Sequence, residues 1–174
     1  MSVSSAIPNF PSRRTSRSAL RYAWIPVLIG LTVICCESTA FFGGSTTSKW
    51  LAAIWPRLLG QANTPFFAEV HLTLRKIGHF TGYGTLGLLL RNAWHRSVQI
   101  YMNLIGGRLM LVASALAVSC TFLVGSLDEW HQSIVPGRVS TLTDVLIDTC
   151  GALLFNLAFW ALLAHRRSRA LNAV

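Results

Sequence analysis

The chain has 174 residues, of which 52% are apolar and only 12% charged, whereas a typical soluble domain has about 25% charged residues. This composition, with a mean hydropathy of +0.50, cannot cover a water-facing surface with polar groups and predicts a membrane protein. The formal net charge is +9, but no basic stripe alternates with exposed aromatic residues, so nucleic-acid binding is excluded.

The N-terminal segment 1–18 is rich in Ser, Pro and Arg and has no hydrophobic period. We therefore predict a disordered, basic cytoplasmic tail there. The apolar run 19–36 that follows predicts the first transmembrane helix. A cleaved signal peptide is the alternative, with Ser38 and Ala40 as small residues before the cut. We favour a retained anchor, because several more apolar runs follow.

Three further apolar runs, 77–94, 109–127 and 145–164, are each close to the ~20 residues that cross a bilayer. Before them, segment 49–59 places Trp50 and Ile54 at helical spacing, which predicts a short extracytoplasmic interfacial helix. Pro136-Gly137 predicts a tight turn between the last two spans. The fold class is thus an all-α membrane protein with four transmembrane helices plus that interfacial helix.

The basic residues predict the orientation. With the N-terminus inside, ten of the 15 Lys and Arg residues fall in cytoplasmic segments, and every acid falls outside or in the outer half of a span. By the positive-inside rule both termini are cytoplasmic, in the cytoplasmic (inner) membrane. The transmembrane domain is predicted to cover 19–165, and 166–174 to form a second basic cytoplasmic tail.

Polar residues gather where three of the predicted spans have their outer ends. A carboxylate inside a span costs roughly 2.5–3.5 kcal/mol, so these side chains should face protein or water and find partners. We expect Gly78 and Gly82, spaced as GxxxG, to allow a close helix contact. The candidate ligand-binding residues are Lys76, His79, Tyr83, Asp128, Glu129, Gln132, Arg138, Asp144 and Asp148.

Two interpretations of this polar cluster remain open. In the first it is a ligand pocket, in which Arg138 holds an anion bidentately and Lys76 adds a point charge. If a reaction occurs, His79 or Glu129 is the candidate general base. In the second it is an ion-pair and hydrogen-bond network that only fastens helix ends. Because the Pro136-Gly137 turn folds the chain back over the end of the third span, we also expect Arg138 to contact an acid, Glu129 or Asp144. The four cysteines form no CxxC pair, so we predict no metal site, and we predict no cofactor.

The same residues carry a resemblance to a known family. Over about residues 70–160 the chain resembles the VanZ-like family, which is named for a protein of glycopeptide-resistance clusters linked to teicoplanin resistance. Two positions depart from the family pattern, Asp148 where Asn is common and Phe155 where a second Gly is frequent. The resemblance rests on Lys76-x-x-His79-x-x-x-Tyr83-x-x-x-Gly87, on Asp128-Glu129-x-x-Gln132-x-x-x-Pro136-Gly137-Arg138, and on Asp144 and Gly151.

The resemblance implies an envelope membrane protein linked to teicoplanin tolerance. We expect its outer face to bind an anionic envelope lipid or cell-wall precursor, such as a lipid-linked phosphate or a peptidoglycan precursor, among the membrane lipids around it. The alternative is a non-enzymatic structural or partner protein in envelope biogenesis. The chain has no GxSxG, HExxH or Walker motif, which argues against the commonest hydrolases, and its enzymatic status stays open.

Overall fold

The computed structural model describes residues 13–58, 61–62 and 64–172, and the regular structure within them is helical. Within these ranges five α-helices follow one another, with a single 3-10 turn over Ala40–Phe42. Along the chain they are α1 (Arg13–Glu37), α2 (Gly44–Leu58), α3 (Pro65–Met102), α4 (Gly106–Ile134) and α5 (Leu142–Asn172).

The terminal helices extend past the predicted spans. Helix α1 begins at Arg13, inside the segment predicted as a disordered tail, and residues 1–12 of that segment lie outside the described residues. Helix α5 continues through the basic residues after 165 and ends at Asn172. Both terminal helices therefore extend beyond the apolar runs from which they were predicted.

Helix α3 occupies the centre and packs against α1, α4 and α5. Its residues Tyr83, Leu86 and Leu90 are buried in a common core with Val27 of α1 and Ala117 of α4. At the next position of α3, the guanidinium of the buried Arg91 lies 3.7 Å from the ring centroid of Phe159 in α5. Each neighbour thus covers one side of α3.

Glycines set the close approach of α3 to α5. A Cβ on Gly87 would lie 2.7 Å from that of Ala152, and a Cβ on Gly151 would collide with the carbonyl oxygen of Phe80. Phe155, which departs from the family pattern, lies against Gly84, where a Cβ would be 2.8 Å from the ring. The larger residue on α5 is accommodated by a glycine on α3.

Among the described residues, three helices are long and apolar enough to cross a membrane by length and composition: Ser18–Glu37 within α1, and the whole of α4 and α5. Helix α3 contains the predicted 77–94 span but does not meet this measure. The structure therefore supports a membrane protein with several spans.

Helix α2 covers positions 49–58 of the predicted interfacial segment 49–59, whose last residue lies outside the described residues, and the helix lies beside the start of α3. Its Trp55 is buried and makes an edge contact with Phe67, with ring centroids 5.1 Å apart. Nearby, Thr47 Oγ1 and His71 Nε2 form a hydrogen bond of 2.9 Å. These contacts hold α2 against the first turns of α3.

Candidate functional site

One end of the helix bundle collects most of the polar side chains. Successive long helices run in alternate directions, so the ends of α1 and α4 meet the beginnings of α3 and α5. Arg138, in the loop between α4 and α5, donates hydrogen bonds to the carbonyl oxygens of Glu37, at the end of α1, and of Phe42, in the 3-10 turn. Near the same end, side chains of α3 bond to Asp128 of α4 and Asp148 of α5. The predicted convergence of three helix ends is thus present.

His79 and Asp148 form a pair between α3 and α5. His79 Nδ1 lies 3.2 Å from Asp148 Oδ1, and the Asp148 side chain has no solvent exposure. Gly125 of α4 makes room for this carboxylate, since a Cβ there would be 3.2 Å from Asp148 Oδ2. The charge that Asp148 adds to the family pattern therefore has a partner in His79.

Asp128 of α4 accepts two hydrogen bonds on the same oxygen. The Tyr83 hydroxyl donates to Asp128 Oδ2 at 2.9 Å, and the buried Gln132 side chain donates from Nε2 at 2.8 Å. Tyr83 lies one helical turn after His79, and their rings stack with centroids 6.2 Å apart. Residues one turn apart on α3 thus hold Asp148 of α5 and Asp128 of α4.

Arg138 bonds to backbone oxygens, so the predicted pairing with Glu129 or Asp144 is wrong. Its Nη1 donates to Phe42 O at 2.9 Å, its Nε to Ser38 O at 3.3 Å, and its Nη2 to Glu37 O. Glu37 O and Ser38 O lie at the end of α1, where the last carbonyls of a helix need donors from elsewhere, and Phe42 O lies at the end of the 3-10 turn. Burial and, to a smaller extent, the charge of Arg75 lower the pKa of the Arg138 guanidinium.

Arg75 joins Arg138 at the same acceptor, and sequence reasoning missed it. Its Nη1 donates to Phe42 O at 3.3 Å. Arg75 and Lys76 stand four and three residues before His79, so the helical period places both near its face of α3 and does not separate them. The predicted residue, Lys76, is exposed and has no ion pair within the described part of the chain.

A cavity of about 200 Å³ lies among these groups. Gly78 and Gly82 form part of its wall, and a Cβ on either would meet no atom within 4 Å. The expected close helix contact at this glycine pair is therefore wrong, and the pair opens space instead. The other lining residues are Ile34, Glu37, Ser38, Phe42, Thr47, Arg75, His79, Tyr83, Asp128, Gln132 and Arg138.

Four of the nine predicted residues are absent from the cavity wall: Lys76, Glu129, Asp144 and Asp148. Asp148 is fully buried and bonds to His79, which does line the cavity. Glu129 is buried, and its Oε2 accepts a hydrogen bond from Thr141 N at 2.8 Å, which ties the end of α4 to the loop before α5. Asp144 lies in the first turn of α5, where its backbone N–H bonds to Thr141.

The arrangement is suited to holding an anionic group beside a histidine. Two guanidinium groups border the cavity, and their recorded hydrogen bonds within the described residues go to carbonyl oxygens. His79 also borders it, with Nδ1 engaged by Asp148 and Nε2 left as the ring nitrogen that can exchange a proton with a bound molecule. Across residues 13–58, 61–62 and 64–172, no group of three His, Cys, Asp or Glu converges to hold a metal ion.

Comparison with known proteins places the chain in one family. Neither the curated proteins nor the solved structures contain a significant match to it. The VanZ/LLP1 family model matches residues 13–164, which extends from the start of α1 almost to the end of α5 and includes every residue of the cavity wall. This 174-residue chain therefore belongs to the VanZ/LLP1 family.

Proposed function

We propose that this VanZ/LLP1 family member binds the anionic headgroup of an envelope lipid or lipid-linked cell-wall precursor in the cavity at the outer ends of its helices. The observation that carries the proposal is the shared use of Phe42 O by Arg75 and Arg138. Two cations are held close together, with each hydrogen-bonded to neutral carbonyl oxygens. An arriving phosphate or carboxylate relieves their mutual repulsion and gains charge-assisted hydrogen bonds.

The guanidinium of Arg138 retains donors for such a ligand. Arginine has five N–H donors in a fixed fork, and three recorded bonds hold Arg138 to the backbone. Because these bonds position the fork beforehand, little side-chain entropy is lost when an anion binds. The acids Asp128 and Glu37 on the same wall are available to accept hydrogen bonds from sugar or amine groups of the ligand.

We also propose that α3 crosses the membrane, which gives four transmembrane helices together with α1, α4 and α5. Helix α3 packs along all three helices that meet the length and hydropathy measure. Its glycines and polar residues lower its hydropathy, but Gly84 and Gly87 lie against α5, and the exposed Thr81 and Thr85 hydroxyls bond to carbonyl oxygens of α3 itself. With basic residues concentrated at both termini, the positive-inside rule supports cytoplasmic ends in the inner membrane and a cavity on the outer side.

The biological outcome that we propose for such binding is tolerance to teicoplanin or a related glycopeptide. The alternative is that the cluster only fastens helices. The bonds His79–Asp148 and Tyr83–Asp128 favour it, since both join α3 to a neighbour. The two arginines also fasten the segment after α1 through its carbonyl oxygens, but Arg138 keeps further N–H donors at the cavity wall, so we place the ligand site first. His79 is favoured over Glu129 as a proton-transferring group because it alone of the two lines the cavity.

Native mass spectrometry of the protein purified in detergent tests the proposal. We expect the wild-type protein to retain an anionic lipid, and Arg138→Gln and Arg75→Gln each to lose most of it. Lys76→Gln is the matched control, since it removes a neighbouring positive charge outside the cavity wall and should leave the lipid in place. Equal lipid retention in all four proteins, each with an unchanged unfolding midpoint, contradicts the headgroup site.

Glycopeptide susceptibility of cells that carry the same four proteins tests the biological role. We expect the two cavity variants to lose tolerance and Lys76→Gln to retain it. Unchanged tolerance in Arg138→Gln, at equal protein level in the membrane, removes the link between the cavity and drug response.

A further inference from the structure

We propose that the ligand is a single amphiphile whose hydrocarbon chain lies in the apolar cleft between α1 and α4 while its anionic headgroup lies in the polar cavity. The inference rests on the proposed headgroup site and extends it to the other end of the molecule. The ligand is thus a lipid with an anionic head, which enters from the membrane along the cleft.

The cleft is a second space of about 330 Å³, separate in character from the cavity. Its wall is largely apolar, with Leu31 and Ile34 from α1 facing Val124 and Leu127 from α4. Leu127 is 63% exposed, so the outer margin of the cleft faces the surrounding hydrocarbon when the helices span a membrane. The remaining lining residues are Cys35, Ser38, Thr39, Asp128 and His131.

Cavity and cleft meet along a shared wall. Ile34, Ser38 and Asp128 line both spaces. Asp128 is fixed at this junction by its bonds from Tyr83 and Gln132. Ser38 Oγ and His131 Nδ1, 2.9 Å apart, link α1 to α4 beside the cleft. A molecule in the cleft is therefore next to the cavity that the two arginines border.

The junction of a polar cavity with an apolar cleft favours an amphiphile over a purely polar or a purely apolar ligand. Apolar spaces stay free of ordered water and accept apolar groups. A free phosphate would fill the cavity and leave the cleft unused, and a purely apolar lipid would leave both guanidiniums without an anion. One molecule with a charged end and a hydrocarbon end satisfies both spaces at once.

Three probes separate the two halves of the proposal: dioleoyl phosphatidic acid, dioleoylglycerol and glycerol 3-phosphate, titrated onto the delipidated full-length protein. We expect tightest binding of dioleoyl phosphatidic acid. Val124→Phe, which narrows the cleft, should weaken its binding at least tenfold and leave glycerol 3-phosphate binding unchanged. Leu123→Phe is the matched control, because Leu123 is exposed and does not line the cleft.

Two native cysteines give a second readout. Cys35 lines the cleft and Cys36 does not, although both are exposed thiols. Bound dioleoyl phosphatidic acid should slow maleimide labelling of Cys35 and leave that of Cys36 unchanged. Protection of Cys35 that Arg138→Gln abolishes supports one ligand that occupies both spaces.

The outcomes distinguish the two proposals. If phosphatidic acid binds in an Arg138-dependent way but Val124→Phe has no effect and Cys35 stays unprotected, the chain-in-cleft inference is overturned and the headgroup site stands. If neither phosphate-bearing probe responds to Arg138→Gln, the proposed function fails with it. If Val124→Phe instead converts a wild-type dimer to a monomer, the cleft is an interface between copies and the inference is wrong.

Discussion

His79 of α3 and Asp148 of α5 meet through an Nδ1–Oδ1 contact of 3.2 Å, at a point where the aspartate side chain has no solvent exposure. A buried carboxylate depends on its partner, because removing one member of a buried pair leaves an uncompensated charge at a cost of about 3–5 kcal/mol. The aspartate also occupies space that Gly125 leaves open. The pair therefore couples the stability of α3, α4 and α5.

This pair leads to a rescue experiment. We expect His79→Ala to lower the thermal unfolding midpoint in detergent, because Asp148 loses its partner. Adding Asp148→Asn to His79→Ala should restore part of the loss, since an amide removes the charge at nearly constant volume. His165→Ala, at an exposed position of α5, is the control and should change little. A double variant no more stable than His79→Ala argues against a charge-dependent pair.

The glycines of the bundle should separate into two groups on substitution. Gly151→Ala places a methyl group against the Phe80 carbonyl, so α5 must move away from α3, and overpacking of this kind costs about 1–3 kcal/mol. Gly78→Ala meets no atom within 4 Å and should keep or raise stability by up to about 1 kcal/mol, because alanine favours helix. Unfolding midpoints of the two variants check the difference. Equal midpoints contradict the packing described here.

The orientation is tested with single cysteines in a variant whose four native cysteines are replaced by alanine. A cysteine at Ser140, in the exposed loop before α5, should react with a membrane-impermeant maleimide added outside intact cells. One at Met102, exposed at the end of α3, should react only after the cells are opened. Labelling of both positions in opened cells controls for reactivity. The opposite pattern inverts the proposed topology.

His71 gives the attachment of α2 a pH dependence. Burial, and to a smaller extent the charge of Arg75, lower the pKa of His71, which precedes the predicted span of α3 and bonds to Thr47. A lowered folded-state pKa favours the neutral ring, so its stabilising effect is present above the unfolded pKa of about 6.5 and is lost as pH falls through the folded-state value.

Between pH 8 and pH 5 we therefore expect the unfolding midpoint of the wild-type protein to fall more than that of His71→Asn, which has no titrating group at this position. His165→Asn should follow the wild-type curve. Parallel wild-type and His71→Asn curves across this range remove the role assigned to His71.

Much of the fold was predictable because hydrophobic runs and turn residues are local signals. The helical segments, the turn at Pro136-Gly137 and the meeting of His79, Tyr83 and Asp128 at one end follow from helix period and alternating direction. The count of spans stays a prediction for α3, whose polar residues lower its hydropathy below that of its neighbours.

The choice between neighbouring residues was not predictable in the same way. Arg75 and Lys76 differ by 100° around α3, and only the packing of the helix decides which faces the cavity. The hydrogen-bond partners of Arg138 are backbone carbonyl oxygens, which every residue has and which the sequence therefore does not mark. The predicted carboxylate partner was wrong for this reason. For Gly78 and Gly82 the spacing was right for helix contact, but the facing surface is open.

The central position of α3 has a consequence for how the protein is made. Helix α3 carries the buried Arg91, whose guanidinium lies over Phe159 of α5. It also carries His79, which pairs with Asp148 of α5. Both partners are synthesised after α3 itself. We expect nascent α3 to wait at the translocon or the bilayer surface until α5 emerges, so that its entry into the lipid is completed by the last helix of the chain.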